Sequence, residues 1–468
     1  MKLSGLLFAA ALLGSCTQPA AEENYTRHVD PKIGTGGHGH VFVGANVPFG
    51  LVQVGPTSIP QTWDWCSGYH ASDSTVIGFS HTHLSGTGIG DLFDITVMPV
   101  VGEVTYARGE ENDPASGLWS YADRTREITK PGYYSVPLVR YGITAELTAT
   151  ERVGLHRYTF PASDAAAVVF DLENGGCWDK ATDTGFRFSD DSTRIAGWRC
   201  STGWAKNQEV YFVAEFSKPA KGISYLQPGE IDDSKMPRIA ARYARVDFDT
   251  AEGEQVLVKV ALSPVSIEGA KANLAAELPG WDFDATAAAA DKAWNDELSK
   301  VKIETEDETS KRIFYTALYH TMVAPSLFCD VNGDYRGADG KVHENPGRDT
   351  YTTFSLWDTY RAAMPLMTVL HPERMPDIIQ TMLHIADEQG RLPVWHLWGN
   401  ETDCMVGNPG IVAVADAIVK GIGGFDREKA FETIRKTAMN PDRGNGLRME
   451  YGYIPCEMFN EAVAYDME

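Results

Sequence analysis

The chain has 468 residues, and 41 lysine and arginine residues against 64 aspartate and glutamate residues give it a formal net charge of −23. This length is enough for two or three domains, each with its own hydrophobic core. A hydrophobic share of 43% excludes a largely disordered chain. The negative charge argues against binding to nucleic acid or to anionic lipid, because both attract proteins with surplus lysine and arginine.

The N-terminus has the pattern of an export signal. The apolar run over residues 6–13 is too short to span a bilayer, and Cys16 follows it directly behind small residues. This arrangement resembles a bacterial lipobox, in which the cysteine is acylated. We therefore predict a signal peptide over 1–15, lipidation of Cys16 and a tether over 16–24. An ordinary cleaved signal peptide is the alternative. The lipobox interpretation places the protein in the bacterial cell envelope, in the periplasm or at the outer-membrane surface, with the lipid anchor as its only membrane contact.

The pattern of apolar residues changes along the chain from strand-like to helical. Short alternating or apolar runs separated by glycine and proline over residues 25–267 predict a β-sandwich domain. From residue 301 onward the apolar spacing is helical, and Thr305 to Glu308 predicts a capping box at the first helix of this region. Strands followed by helices indicate two separate domains rather than a βαβ fold. We expect a helical linker over 268–300 and a helical domain over 301–468.

Two histidine pairs could take part in metal binding. His38 and His40, like His81 and His83, have the H-x-H spacing that places both rings on one side of a strand. Polar packing or hydrogen bonding to a ligand is the favoured alternative, because no carboxylate spacing such as H-E-x-x-H completes either pair. The glycine-rich stretch around the first pair lacks the lysine of a Walker motif, so nucleotide binding is excluded.

Two Trp-Asp pairs are candidates for a sugar-binding platform. Trp63-Asp64 and Trp357-Asp358 each combine an indole, which stacks on a pyranose ring, with a carboxylate that accepts hydroxyl hydrogen bonds. The alternatives are a core tryptophan beside a turn aspartate in the first case and an i,i+3 ion pair of Asp358 with Arg361 in the second.

Two glutamates could line a pocket. Glu401 precedes an apolar helix, where it could face a ligand or simply favour the helix N-terminus. Glu461 falls in a helix predicted over 457–468, on an acidic stripe of a kind that usually faces solvent. A glycosidase acid must nevertheless be a carboxyl group of this sort, held in a pocket that raises its pKa.

Six segments together resemble glycoside hydrolase family 92, the calcium-dependent exo-acting α-mannosidases. They extend in order over most of the chain, and as a set they are specific. The segments are IGTGGHGH (33–40), WDWCSGYH (63–70), GFSHTHLSG (78–86), GLHRYTFP (154–161), TFSLWDT (353–359) and LWGNET (397–402).

The resemblance implies an N-terminal β-sandwich followed by an (α/α)6 barrel. This agrees with the strand-like pattern of the first region and the helical pattern of the second. It implies hydrolysis of terminal α-mannosyl residues with inversion, in which an acid protonates the leaving oxygen while a base activates water. It also implies Ca²⁺ that helps to bind and distort the sugar ring, although the ligands of the ion stay unknown from the sequence. Mannose-containing glycans of the N-glycan or mannan type are the expected substrates.

The resemblance also suggests roles for particular residues. Glu461 stands in the position of the family's general acid, in Glu-Ala-Val-Ala where the family has Glu-Ser-Val-Ser. Trp357 and Asp358 match residues that contact mannose. Cys66 lies in a loop that the sandwich contributes to the same pocket, and Glu401 is a further candidate for substrate binding.

The family's base motif, Gly-Asn-Asp/Glu-Asp, does not occur up to Glu468. We therefore expect the barrel to be incomplete in this chain, and the fragment by itself to be inactive because the base region is missing. A non-catalytic glycan-binding surface lipoprotein is the alternative function. A metallohydrolase that uses the H-x-H pairs is a more distant one.

Overall fold

The computed structural model describes residues 23–187, 192–228 and 238–467. The predicted signal peptide and Cys16 lie outside these residues. The predicted order of the two fold classes is confirmed, because a β-sheet domain comes first and an α-helical domain follows. No helix among the described residues is long and apolar enough to cross a membrane.

The N-terminal domain is built on one large antiparallel sheet. Fourteen strands of the described residues join it, in the order β1-β3-β4-β10-β15-β11-β12-β13-β16-β9-β8-β7-β6 with β14 beside β15, while β2 and β5 pair separately. The strands are β1 (Gly55–Thr57), β2 (Thr75–Val76), β3 (Gly78–Ser80), β4 (Thr96–Val101), β5 (Ser120–Tyr121), β6 (Ile128–Lys130), β7 (Tyr133–Leu138), β8 (Ile143–Ala149), β9 (Val153–Phe160), β10 (Ser163–Asp171), β11 (Lys180–Arg187), β12 (Arg194–Thr202), β13 (Gln208–Phe216), β14 (Gly222–Pro228), β15 (Arg238–Thr250) and β16 (Glu254–Ser263).

The sheet folds back on itself into two facing layers. Phe79 of β3 lies near one end of the strand order, yet its ring packs against Tyr134 of β7 and Tyr158 of β9 from the other end, with centroids 6.4 and 6.3 Å apart. All three side chains are completely buried. Burial of aromatic and β-branched side chains between two layers is the main stabilisation of such a sandwich.

Two helices lie between the sheet and the helical domain. α1 (Ile267–Glu277) begins at the N-cap Ser266, whose side chain accepts a hydrogen bond from the Gly269 N–H, and it packs against β16 and β13. α2 (Phe283–Leu298) buries Trp294, whose Nε1 donates to the Asn46 carbonyl oxygen at 2.7 Å. Both helices therefore dock onto the sandwich instead of extending as a free connection.

The helical domain combines helices with short two-residue and three-residue strands. Its central helix α7 packs against α5, α6 and α8. The elements are α3 (Glu308–His320), β17 (Ser326–Leu327), β18 (Tyr335–Arg336), β19 (Val342–His343), β20 (Tyr351–Thr352), β21 (Phe354–Ser355), α4 (Leu356–Thr359), α5 (Ala363–Leu370), α6 (Met375–Gln389), β22 (Trp395–Leu397), β23 (Asn400–Glu401), α7 (Pro409–Val419), α8 (Arg427–Ala438), α9 (Asn445–Tyr451) and α10 (Ala462–Met467).

The predicted capping box at the start of α3 is wrong in its residues. Asp307 is the N-cap, and its carboxylate accepts from the Thr309 N–H at 3.0 Å. Thr305 instead accepts from the Asp307 N–H at 3.1 Å, one turn before the helix. An aspartate caps a helix at least as well as a threonine, so the nearer residue takes the position.

The two domains share backbone hydrogen bonds and one hydrophobic core. The Phe49 N–H of the sandwich donates to the Met322 carbonyl oxygen at 2.8 Å, and the Phe49 carbonyl oxygen accepts from the Leu327 N–H at the same distance. A continuous cluster of buried apolar side chains extends across both domains. The domain boundary is thus a packed interface.

Candidate active site

A cavity of about 190 Å³ lies where the two domains meet. The sandwich contributes a loop of three residues, 85–87, and the helical domain contributes His320 at the end of α3, Asp358 in α4 and Trp395 in β22. Clefts between domains are common binding sites for small ligands.

Asp358 is the acidic residue of this cavity. It lies in the single-turn helix α4, and its Oδ2 accepts a hydrogen bond from the Ser355 hydroxyl. The Thr359 hydroxyl of the same turn donates to the Ser355 carbonyl oxygen at 2.8 Å. These bonds fix the orientation of the carboxylate, which can accept hydrogen bonds from sugar hydroxyls.

Two buried nitrogen atoms near Asp358 have no partner among the described residues: His320 Nε2 and Trp357 Nε1. Burial lowers the pKa of His320 to about 4, so its imidazole is neutral at neutral pH. A buried polar atom without a hydrogen bond is costly, and a polar ligand would relieve that cost. His320 lines the cavity and is a candidate site residue that no motif or spacing in the sequence indicated.

Trp357 itself does not line the cavity. The Arg361 guanidinium lies over its ring at 4.4 Å from the centroid, so the indole face is already covered on that side. The structure therefore separates the predicted pair: Asp358 faces the cavity, and Trp357 packs behind it.

Cys66 supports the cavity wall from behind. Its side chain is completely buried, and the thiol donates to the Thr87 carbonyl oxygen at 3.3 Å. Burial raises the pKa of this thiol to about 12. Because Thr87 lines the cavity, Cys66 positions a sandwich loop and has no direct access to a ligand.

The geometry gives Glu401 a structural role. Its Oε1 accepts from the N–H groups of Trp395 and Asp403 at 2.9 and 3.0 Å. Its Oε2 accepts from the Val394 N–H at 2.8 Å and from the Gln389 side chain at 3.4 Å. Both oxygens are thus occupied by the protein's own donors, and Glu401 is not among the residues that line the cavity.

Glu461 lies immediately before the last described helix. The helix predicted over 457–468 begins only at Ala462, because Glu461 has a φ of +60°, which a right-handed helix does not allow. Its carbonyl oxygen accepts from the Ala464 N–H at 2.9 Å, and its side chain is exposed.

Burial and nearby charges both act on the Cys404 thiol. Burial raises the pKa of this thiol, and the negative charges of Asp358 and Glu461 raise it further. Glu461 is not among the residues that line the cavity.

One predicted histidine pair is completed by a carboxylate. Asp64 Oδ1 lies 2.5 Å from His38 Nδ1 and 3.4 Å from His40 Nε2. The hydrogen bond with His38 lowers the pKa of Asp64, although partial burial opposes this effect. The Trp63 ring packs against both imidazoles, with centroids 5.2 and 4.4 Å away.

The other histidine pair is part of the sandwich core. His81 hydrogen-bonds to His156 and to the Ile95 carbonyl oxygen, and His83 to the Gln53 carbonyl oxygen. Burial lowers the pKa of His81 to about 3 and that of His83 to about 4. This geometry agrees with polar packing, the favoured alternative for that pair.

Neither group of three potential side-chain ligand atoms found among the described residues has the ligand set of Ca²⁺. Two clusters combine three potential ligand atoms, and each includes histidine nitrogen, whereas Ca²⁺ takes oxygen ligands. The second cluster, Glu297, His371 and Glu373, is already occupied by the Lys300 ammonium, which lies 2.8 Å from each carboxylate.

Two family models match the chain and divide it at the observed domain boundary. The glycosyl hydrolase family 92 N-terminal domain matches residues 28–263, and the glycosyl hydrolase family 92 catalytic domain matches residues 269–468. A curated relative from Arthroderma benhamiae, described as an uncharacterized secreted glycosidase, is 25% identical over 495 residues. That similarity covers 97% of this chain and 58% of the relative.

Solved structures share the fold. The family GH92 α-mannosidase BT3965 from Bacteroides thetaiotaomicron, solved in complex with mannoimidazole, is 37% identical with a TM-score of 0.89, covering 95% of this chain and 60% of that one. The family GH92 inverting mannosidase BT2199 from the same organism is 27% identical with a TM-score of 0.79, covering 94% and 59%. The chain thus spans about three fifths of the length of these relatives.

Proposed function

Because the chain belongs to glycosyl hydrolase family 92, we propose that it takes part in hydrolysing terminal α-mannosyl residues of glycans. The observation that carries this proposal is the cavity at the domain interface, which combines the fixed Asp358 carboxylate with the unpartnered His320 nitrogen. A small pocket between two domains, with a few polar groups in a mainly apolar lining, suits one terminal sugar ring, as exo-action requires.

Within this proposal, Asp358 binds and Glu461 is the general acid. Asp358 accepts hydrogen bonds from ring hydroxyls in the orientation that Ser355 fixes. Glu461 protonates the leaving oxygen, the role that the family resemblance implies for its position. Inversion needs a second group that activates water on the opposite face of the sugar. No residue among those described is assigned to that step.

Mannoimidazole is the probe that tests the pocket, since a relative has been solved with it. We expect calorimetry to detect binding of mannoimidazole by the full chain and to show at least about tenfold weaker binding for Asp358→Asn, the loss of one charged hydrogen bond or more. Asp416→Asn is the matched control, because this half-buried aspartate pairs with Lys420 on α7 and does not line the cavity. Equal affinity in Asp358→Asn and wild type would remove Asp358 from the site.

The acid role of Glu461 has a separate test. In the active enzyme, Glu461→Gln should reduce turnover of natural mannosides by about 10²-fold or more, the scale of losing a general acid. Substrates with an activated phenol leaving group should lose far less, because phenolate departs without a proton. NMR should show β-mannose as the first product if the reaction inverts. Equal losses on both substrate types would show that Glu461 is structural.

A non-catalytic glycan-binding protein is the second candidate function, and the exposed side chain of Glu461 favours it. The two functions differ in how Glu461→Gln affects binding. A general acid donates to the basic imidazole of mannoimidazole, so the variant should bind this inhibitor less tightly while its affinity for methyl α-mannoside stays the same. In a pure binding protein, the ratio of the affinity for mannoimidazole to the affinity for methyl α-mannoside would be the same in the variant and in the wild type.

Calcium assistance is proposed from family resemblance alone. The described clusters contain histidine and do not match the oxygen ligands of Ca²⁺, so no step is assigned to the ion. Dialysis against a chelator followed by readdition of Ca²⁺ tests the requirement. Activity that is unchanged by the chelator would contradict it.

We also propose that the protein is exported and anchored through Cys16. The lipobox-like sequence supports this, and so does the description of a relative as secreted. Metabolic labelling with palmitate should mark the wild type and fail to mark Cys16→Ala. Labelling of both, or of neither, would contradict lipidation at Cys16.

A further inference from the structure

The cluster of His38, His40 and Asp64 presents three ligand atoms to one point. His38 Nδ1, His40 Nε2 and Asp64 Oδ1 all lie within 4.8 Å of one another, and Asp64 Oδ1 is shared by both imidazoles. We propose that this cluster is a binding site for a divalent transition-metal ion of the zinc type, separate from any calcium site.

The ligand set fits Zn²⁺ in chemistry and approaches the spacing that the ion requires. Zinc takes imidazole nitrogen and carboxylate oxygen at about 2.0–2.2 Å, which places tetrahedral ligands about 3.3 Å apart. The separation of 3.4 Å between His40 Nε2 and Asp64 Oδ1 already has this value. The contact of 2.5 Å between His38 and Asp64 must open by about 1 Å to reach it. That movement is available, because the His38 side chain is 72% exposed.

The surroundings hold the less mobile ligand in place. The His40 side chain is only 5% exposed, and its ring meets the Trp63 indole edge-on at 4.4 Å between centroids. The His40 carbonyl oxygen accepts from the Ser67 hydroxyl and from the Gly86 N–H, each at 2.7 Å. A ligand that is fixed by packing and by backbone bonds is a feature of built metal sites.

The cluster is also accessible and free of a competing cation. Asp64 is 30% exposed, so a water molecule or another ligand can occupy a fourth position. The comparable group of Glu297, His371 and Glu373 contains the Lys300 ammonium, which already neutralises its carboxylates. Within the described residues, the ion pairs of Asp64 are with His38 and His40 alone.

The site lies next to the wall of the cavity. Gly86, which donates to the His40 carbonyl oxygen, lines the cavity, and Trp63 Nε1 donates to the Gly88 carbonyl oxygen at 3.0 Å. A metal ion at this cluster would therefore link the segment that carries His40 to the turn that carries Trp63. Both segments contact the loop that borders the cavity. The metal site itself does not depend on the proposed sugar chemistry.

Calorimetry with Zn²⁺ alone tests the site on the tag-free full chain. We expect one Zn²⁺ to bind per chain, with more than about tenfold weaker affinity in His38→Ala and in Asp64→Asn. Both changes fall on accessible side chains, and unchanged thermal unfolding without metal would confirm that the variants fold. His343→Ala is the control. His343 Nε2 lies 2.9 Å from Asp339 Oδ1, and this His-Asp pair includes no second histidine. The variant should therefore bind Zn²⁺ as the wild type does.

Co²⁺ gives a spectroscopic check. A tetrahedral site with histidine ligands should give the wild type a visible absorption band that both variants lose, and Ca²⁺ should not displace the ion. The proposal is overturned if the wild type binds no Zn²⁺ stoichiometrically. It is equally overturned if His38→Ala and Asp64→Asn both bind Zn²⁺ as tightly as His343→Ala.

Discussion

The Cys66 thiol and the Thr87 carbonyl oxygen are joined by a hydrogen bond of 3.3 Å, which connects a fully buried turn of the sandwich to the wall of the domain-interface cavity. Through this contact the buried cysteine holds a residue of the cavity wall without lining the cavity itself. The contact also makes the role of Cys66 testable as one of positioning.

Replacing Cys66 by alanine should weaken mannoimidazole binding several-fold and lower the free energy of unfolding by about 1 kcal/mol, because the loop loses its hydrogen bond and a small cavity opens. Cys66→Ser keeps a donor at the same place and should stay closer to wild type in affinity. Calorimetry and chemical denaturation give the two quantities. Identical affinities for the alanine and serine variants would contradict the positioning role.

His320 should contribute to ligand binding through its unpartnered Nε2 atom. We expect His320→Ala to bind mannoimidazole about tenfold less tightly, the effect of one or two lost hydrogen bonds. His384→Ala is the matched control, since His384 also has a buried nitrogen without a partner but stacks on Tyr335 away from the cavity. Equal affinities in the two variants would show that His320 does not reach the ligand.

Glu401→Gln should reduce stability while leaving the intrinsic affinity of the folded protein for mannoimidazole unchanged. The amide nitrogen cannot accept a hydrogen bond, so it leaves buried backbone N–H groups without an acceptor at a cost of about 2–4 kcal/mol. Chemical denaturation measures this loss, and calorimetry on the folded variant measures binding. Glu432→Gln, on an exposed surface pair with Arg435, should change stability by less than about 0.5 kcal/mol. A loss of affinity in Glu401→Gln without a loss of stability would restore the original substrate-binding hypothesis.

Glu297 should make stability depend on pH in the acid range. Burial works to raise the pKa of this carboxyl, but hydrogen bonds from His371 and Lys300 prevail and lower it from 4.5 to about 2. A pKa below the unfolded value means that ionised Glu297 stabilises the fold above about pH 4.5 and that this contribution is lost as the pH falls toward 2.

The stability difference between wild type and Glu297→Gln should therefore be largest above pH 5 and shrink steadily below pH 4.5. Thermal unfolding across this range gives the difference at each pH. Glu344→Gln, at an exposed position, is the control variant. A Glu297→Gln difference that stays constant down to pH 2.5 would contradict the lowered pKa.

The sequence predicts the two domains because periodicity is a local property. Strand-like runs before residue 267 and the helical spacing of Ile378, Ile379, Met382 and Leu383 each follow from a few neighbouring residues, and the structure buries all four of these side chains on one face of α6. The motif that contains Asp358 likewise led to a residue that lines the cavity.

Roles that depend on backbone groups could not be found in this way. The four donors that occupy Glu401 include three backbone N–H groups, which no residue type reveals. The start of α10 after Glu461 depends on a positive φ that charge spacing does not encode. His320 belongs to no sequence motif. It is a candidate only because packing leaves its Nε2 atom without a hydrogen-bond partner.

The two backbone hydrogen bonds of Phe49, to Met322 and Leu327, have a consequence for how ligands are selected. They join the sandwich to the chain segment that includes Ala324 and Pro325 of the cavity wall, so the walls cannot separate without breaking main-chain bonds. A hinge would let the pocket adapt to ligands of different size. This molecule instead presents a preformed cavity, and steric fit limits which ligands can enter it.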